Sequence, residues 1–327
     1  MRLTIFLLLF SLSAQGQFII DSYRFGAPAL LLDSFPGATA AYSLRLLRTD
    51  YTGNALTITK DNGDTTLIGF SNGYLDTAAM KTFCGTAAGD SCRVRRLFDQ
   101  SGNARNFTQT DFASQPLIMA DGVVLRDNGE ISLRFNGSNN WMEIPSSTAM
   151  FNFMHNGGDA TIFSVQRFGN VSNPNAFYNI LDNCEGATAN IGISTGYDDR
   201  AVVPRNNTNF TSIQRGVLGA STAVAIVEAI APNVIGLLYS KIDADNATAA
   251  NRIRGGFNGS ADYGNNTLTN APSASNATFN LTLGATGAAT KAGFLLGAVQ
   301  EFIIYNADQS TNRAAIETNI NNFYQIY

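Results

Sequence analysis

A mostly β fold, two antiparallel sheets packed as a sandwich with a few short helices, is what this sequence predicts. Three observations carry that reading. Of 327 residues only 14 % are charged, while 45 % are apolar and 30 are glycine, a balance that suits strands joined by polar turns better than surface helices. Apolar residues recur at a period of two in short runs: Ile131, Leu133 and Phe135 alternate with Ser132 and Arg134. Turn signals then close the runs, as Asn136-Gly137 does here and Asp61-Asn-Gly-Asp64 does earlier.

The elements follow in order. Pro36-Gly37 punctuates, and Ala41, Leu44 and Leu47 at helical spacing predict a short helix over 38–48. Leu56 and Ile58 alternate with Thr57 and Thr59, so 54–59 reads as a strand, paired through the Asp61–Asp64 turn with 66–70. Asp76 is placed to cap a helix over 77–83. Two runs, 161–168 and 234–242, are apolar on both faces, as central strands are. Phe279, Leu281 and Leu283 alternate again, and 300–305 is a further strand. A C-terminal helix capped by Asp308 or Ser310 runs to about Tyr324, with Ile316, Ile320 and Phe323 on one side. The Asn/Gly/Ser-rich stretch 255–275 reads as exposed loops. With no repeat and no linker, 17–327 is expected to form one domain.

Residues 1–16 stand apart. Met1-Arg2 is followed by an apolar run over 3–12 and by Ser13-Ala14-Gln15-Gly16, the three-part pattern of a secretory signal peptide. The alternative is an N-terminal apolar structural segment. The run is short for a bilayer span, and no other segment predicts a stable one. Net charge is −4 and the Arg93, Arg95, Arg96 group is isolated, which argues against nucleic acid as a partner. The chain has 3 cysteines and 1 histidine, His155, too few for a Cys/His zinc site. Cys84 and Cys92 flank a turn-rich insert that a disulfide could close, leaving Cys184 as a buried thiol.

Several blocks, in order, resemble a known family: Ala40-Ala-Tyr-Ser-Leu-Arg-Leu-Leu-Arg48, Tyr51-Thr-Gly-Asn-Ala55, Leu75-Asp-Thr-Ala-Ala79, Phe83-Cys84 and Phe98-Asp-Gln-Ser-Gly-Asn103. They are similar to the N-terminal part of the arabinofuranosidase B catalytic domain of the family 54 glycoside hydrolases. Leu133-Arg-Phe-Asn-Gly-Ser138 and Gly297-Ala-Val-Gln-Glu-Phe-Ile-Ile-Tyr305 resemble strands of the wider laminin-G and concanavalin-like group. The resemblance implies a concanavalin-like jelly-roll sandwich of two antiparallel sheets and a Cys84–Cys92 disulfide. Related domains occur in bacterial surface proteins and phage structural proteins.

The resemblance lapses where the chemistry belongs. A retaining glycosidase needs two carboxylates roughly 5 Å apart. The family carries its acid in a Gly-rich loop before the last strands, and the matching loop here, 284–297, reads GATGAATKAGFLLG with neither Asp nor Glu. Glu185, beside Cys184, is the nearest candidate nucleophile. Glu143, Asp159, Asp182, Asp198, Asp199 and Asp262 are further carboxylates, each read as a surface or turn residue. Trp141, Tyr197 and Tyr263 are candidate sugar-stacking rings. Asp243 and Asp245 cluster oxygens that would suit a structural calcium ion but lack the Gly and distal Glu of an EF-hand loop, so they read as a turn, and no cofactor is expected. Asn-x-Ser/Thr sequons, including those at Asn106, Asn136, Asn246 and Asn276, are read as composition.

These readings predict a non-catalytic, lectin-like surface domain that recognises a glycan or cell-surface polysaccharide, on a secreted bacterial protein or a virion. The alternatives are a purely structural virion protein, whose partners are other virion proteins or further copies of itself, and a family 54-like arabinofuranosidase. The expected location is extracellular, or else the virion surface.

Overall fold

A strand that is apolar on both faces must be covered on both, and Leu296–Tyr305 is such a strand. The computed structural model describes residues 29–169, 177–185, 190–198, 208–215, 231–261 and 272–327. In it, Leu296–Tyr305 is the spine of a first antiparallel sheet. Ala38–Ser43 and Leu133–Asn136 share one of its edges, and Asp159–Phe168, Ile235–Asp243 and Ile253–Phe257 extend the other. A second antiparallel sheet runs Thr65–Ile68, Leu56–Lys60, Cys92–Leu97, Phe107–Thr108, Met142–Glu143, Thr282–Leu283, Phe177–Asp182, Ile191–Asp198, Thr208–Arg215. Leu117–Ala120 pairs with both Cys92–Leu97 and Leu133–Asn136 and ties the two sheets together. The mostly β sandwich that the sequence predicts is therefore the architecture found.

The larger core fills the space between the sheets, with Ile58, Phe107, Phe135, Ile162, Leu283 and Phe302 among its members. A second cluster lies outside the first sheet, where Phe163, Val165, Tyr239, Ile303 and Tyr305 meet Ile316, Ile320 and Tyr324 of the helix Arg313–Tyr324. Each aliphatic side chain so buried contributes roughly 1.5–3 kcal/mol. Beside it, Arg45 grips Glu301 through two hydrogen bonds of 2.8 and 2.9 Å, and Tyr324 Oη reaches the same carboxylate at 3.1 Å.

Two expectations need correction. Residues 38–43 are a strand, not the start of a helix. Ala40 and Tyr42 face the inter-sheet core while Ala38 and Ala41 face the outer cluster. A segment buried on both sides is apolar at every spacing, so helical spacing carries no information there. The last helix starts at Arg313 rather than after Asp308 or Ser310, because Asp308 instead accepts from Lys241 Nζ at 2.6 Å and from the Ser310 N–H at 2.8 Å.

Other expectations hold in whole or in part. The helix Thr77–Cys84 is capped by Asp76, whose Oδ1 accepts from the Ala79 N–H at 2.9 Å. Leu281 and Leu283 are buried as alternation predicts, although only Thr282–Leu283 pairs as strand. Part of the predicted loop 255–275 is strand, since Ile253–Phe257 pairs with Ile235–Asp243. Residues 1–16, with the expected signal-peptide pattern, and Asp199, Asp262 and Tyr263 lie outside the described residues. Among the described residues no helix is long and apolar enough to cross a membrane.

Candidate functional site

Directly opposed residues of antiparallel strands share a sheet face. Followed from strand to strand, the second sheet lines up a polar row on its outer face. Arg96 is opposite Thr108, Thr108 opposite Glu143, Glu143 opposite Thr282, and Thr282 opposite Asp182. The row continues through Ser194 to Ser212. At about 4.8 Å per strand, Arg96 to Asp182 spans roughly 19 Å.

The row has an open end and a closed end. Arg96 is exposed and Thr108 and Glu143 are half-buried, whereas Thr282, Asp182, Ser194 and Ser212 are buried. What closes the far end is the Gly-rich loop 284–297. Its Gly287 N–H donates to Asp182 Oδ1 at 2.7 Å. The loop approaches so closely that a Cβ on Gly287 would stand 2.8 Å from Asn183 Cα, which only glycine avoids.

Lys291, the one charged residue of that loop, reaches down onto the boundary between the two ends. Its Nζ donates to Thr282 Oγ1 and the Gly287 carbonyl at 3.1 Å each and to Glu143 Oε2 at 3.3 Å. The same ammonium lies 4.5 Å from the centre of the Trp141 ring. Burial holds the Lys291 pKa below its ordinary value, against the opposing pull of Glu143. Trp141 is two residues before Glu143 and therefore on the same face. Together Trp141, Glu143, Lys291, Thr148 and Asn280 line an open depression of about 410 Å³. An aromatic ring set among a carboxylate, an ammonium and amide and hydroxyl groups can pack the apolar face of a sugar and hydrogen-bond its hydroxyls.

Asp182 is one strand beyond Thr282 on the row and fully buried. Its Oδ1 accepts from the backbone N–H groups of Cys184, Glu185 and Gly287 at 3.0, 2.7 and 2.7 Å. Desolvation raises its pKa all the same, the three N–H donors working in the opposite direction. It ties the turn at 182–185 to the loop 284–297.

The remaining candidates are dispersed. Glu185 is exposed on a turn with φ of 60°. Tyr197 is a correction: it is fully buried, stacked on Phe168 with ring centres 4.4 Å apart, so no sugar can reach it. Asp198 is buried too, and Asp159 is an exposed residue whose pKa burial and neighbouring Asp243 raise. Asp243 is held by Asn246, whose Nδ2 donates at 2.6 Å, and no group of three or more His, Cys, Asp or Glu side chains converges among the described residues. Cys84 and Cys92 are joined in a disulfide, and Cys184 is buried and outside it. Sequence reading missed Lys291, although it is the only charge in the loop and so the residue most able to mark it.

No family model matches the chain, and no curated protein matches it. Solved structures do. A GH54 a-l-arabinofuranosidase soaked with a cyclic sulfate inhibitor superposes with a TM-score of 0.64 at 15 % identity, over 89 % of this chain and 64 % of that one. An arabinofuranosidase complexed with arabinofuranosyl-alpha-1,2-xylobiose gives 0.63 at 15 % identity over the same shares. This chain thus spans 64 % of the length of those enzymes, and what it shares with them at that identity is the β-sandwich fold.

Proposed function

We propose that this chain is a non-catalytic, lectin-like surface domain that binds a glycan in the depression formed by Trp141, Glu143 and Lys291. The observation that carries the reading is that ring, flanked by hydrogen-bonding groups of both charges, on an open sheet face. The absence of hydrolysis is part of the proposal. Glu143 and Asp182 stand two strands apart on the row, roughly 10 Å at backbone level. Glu143 is engaged by the Lys291 ammonium rather than by a second carboxylate. Asp182 is moreover buried under backbone N–H groups, and the loop 284–297 supplies no other acid. The amino-terminal pattern and the disulfide fit export to the cell surface or the extracellular space, with a virion surface as the alternative.

One observation favours hydrolysis instead: the raised pKa of Asp182, the kind of shift that suits a general acid. Isothermal titration with arabinose-, xylose- and galactose-based oligosaccharides, run beside a 4-nitrophenyl arabinofuranoside assay, separates the two readings. The expected result is saturable binding without turnover. Turnover abolished by Asp182→Asn would establish the enzyme instead, and the absence of any glycan binding would remove the binding reading.

A further inference from the structure

The open end of the row carries a second depression that the Trp141 site does not use. Arg96, Arg105, Asn103, Asn106 and Thr108 line it, over an apolar side that includes Ile144 and Met150, in a volume of about 370 Å³. Its lining contains two guanidinium groups and no carboxylate. Neither arginine is ion-paired to a described carboxylate. The Arg96 guanidinium lies 5.6 Å from the Phe98 ring centre, and that of Arg105 lies 5.4 Å from the Phe151 ring centre and donates once, to the Thr39 carbonyl at 3.2 Å. The nearby Asp99 is committed elsewhere. Its oxygens accept from the N–H groups of Ala41, Ser101 and Arg105 and from Ser101 Oγ, at 2.8–3.1 Å. Asn106 spends its Oδ1 on the Asp99 N–H at 2.9 Å, which leaves its amide NH₂ as a donor. Two cations with spare N–H groups, beside the Asn106 amide, in a chain of net charge −4, form a local site for an anion that the global charge does not attract.

We infer that this depression holds the anionic group of an acidic sugar, a carboxylate or a sulfate ester, next to the sugar packed on Trp141. The two depressions meet at the opposed pair Thr108 and Glu143, so neighbouring units of one chain would occupy both. The guanidinium forks supply the paired donors that carboxylate and sulfate accept, and Ile144 and Met150 the apolar contact for the ring that carries them. This inference deepens the glycan-binding reading, and rests on it for the ligand class.

The test is a glycan array of matched pairs: uronate-bearing glycans against their carboxyl-reduced forms, and sulfated glycans against their desulfated forms. It is probed with the parent protein, Arg96→Gln, Arg105→Gln and Trp141→Ala. Arg96 is exposed and supports no other group by hydrogen bonding, so Arg96→Gln should fold as the parent does. Losing one charge-assisted hydrogen bond should weaken acidic members roughly tenfold or more and leave neutral members unchanged. Binding of acidic members should also fall as NaCl is raised from 0.05 to 0.5 M. Whichever pair discriminates identifies the anion. Equal binding of charged and neutral members, no acidic member bound, or acidic binding indifferent to both arginine variants would each overturn the inference. Acidic binding that is lost in Arg96→Gln but untouched by Trp141→Ala would keep the anion site and remove the Trp141 site.

Discussion

The two ends of the polar row use similar residues to opposite purposes. At the closed end Asp182 is surrounded by its own backbone: three N–H groups from two loops converge on one oxygen. At the open end Glu143 meets a side chain, Lys291, that itself touches an aromatic ring lining a depression. A buried carboxylate that satisfies backbone donors holds loops in place, while a half-buried one paired to a side-chain ammonium can exchange that partner for a ligand hydroxyl. The carboxylate whose pKa burial raises is thus the structural one, and the one that lines the open depression is Glu143.

Removing the acceptor at the closed end should have the largest effect. Asp182→Ala leaves three N–H groups without their acceptor and should cost about 3–5 kcal/mol in chemical denaturation. A loss under 1 kcal/mol would show that the two ends do not differ in this way. Next comes the disulfide. Cys84→Ser with Cys92→Ser opens an eight-residue separation and should cost about 2–3 kcal/mol, read as a lower urea midpoint, without touching ligand affinity. A smaller change is expected with pH. His155 is the only histidine, and burial lowers its pKa below the ordinary value while the Ser275 carbonyl pulls the other way. Its neutral form is the one the fold favours. The stability it brings is therefore present above about pH 6.5 and is lost as pH falls through the lowered folded value. Melting curves between pH 7.5 and 5 should show a decline that His155→Gln flattens. Smallest in stability is Trp141→Ala, expected within about 1 kcal/mol because the ring is half-buried, yet it should weaken glycan binding about tenfold or more.

Much of the sandwich is legible in the order of residues alone, and the reasons are specific. Leu133 and Phe135 alternate with polar neighbours, and 161–168 reads as a buried strand because it carries apolar residues on both faces. Both signals are local, the second because Ile162, Phe163, Val165 and Phe168 put apolar side chains on both faces of the run in spite of Ser164, Gln166 and Arg167. Residues 38–48 mislead because apolar side chains on both faces of the strand Ala38–Ser43 and of the segment that follows mimic a helix when the partner strand, Leu296–Tyr305, lies more than 250 positions away. The site is only partly legible for the same reason. Trp141 can be singled out by type, but its neighbours Lys291 and Asn280 come from segments after and before the strand Thr282–Leu283, whose pairing with Met142–Glu143 brings them beside it. Tyr197 fails as a stacking ring because ring type says nothing of which sheet face the ring occupies.

Trp141 is the only tryptophan in the chain, so its emission reports on the proposed site and on nothing else. The most direct test is therefore a titration of the protein with whichever glycan it binds, followed by intrinsic fluorescence and by calorimetry in parallel. A sugar packed against the ring and displacing water should shift or quench the emission, with a midpoint equal to the calorimetric dissociation constant. The account predicts that match, and predicts that Lys291→Met moves both midpoints together. A glycan that binds by calorimetry while the Trp141 emission stays constant would place the ligand elsewhere and contradict it.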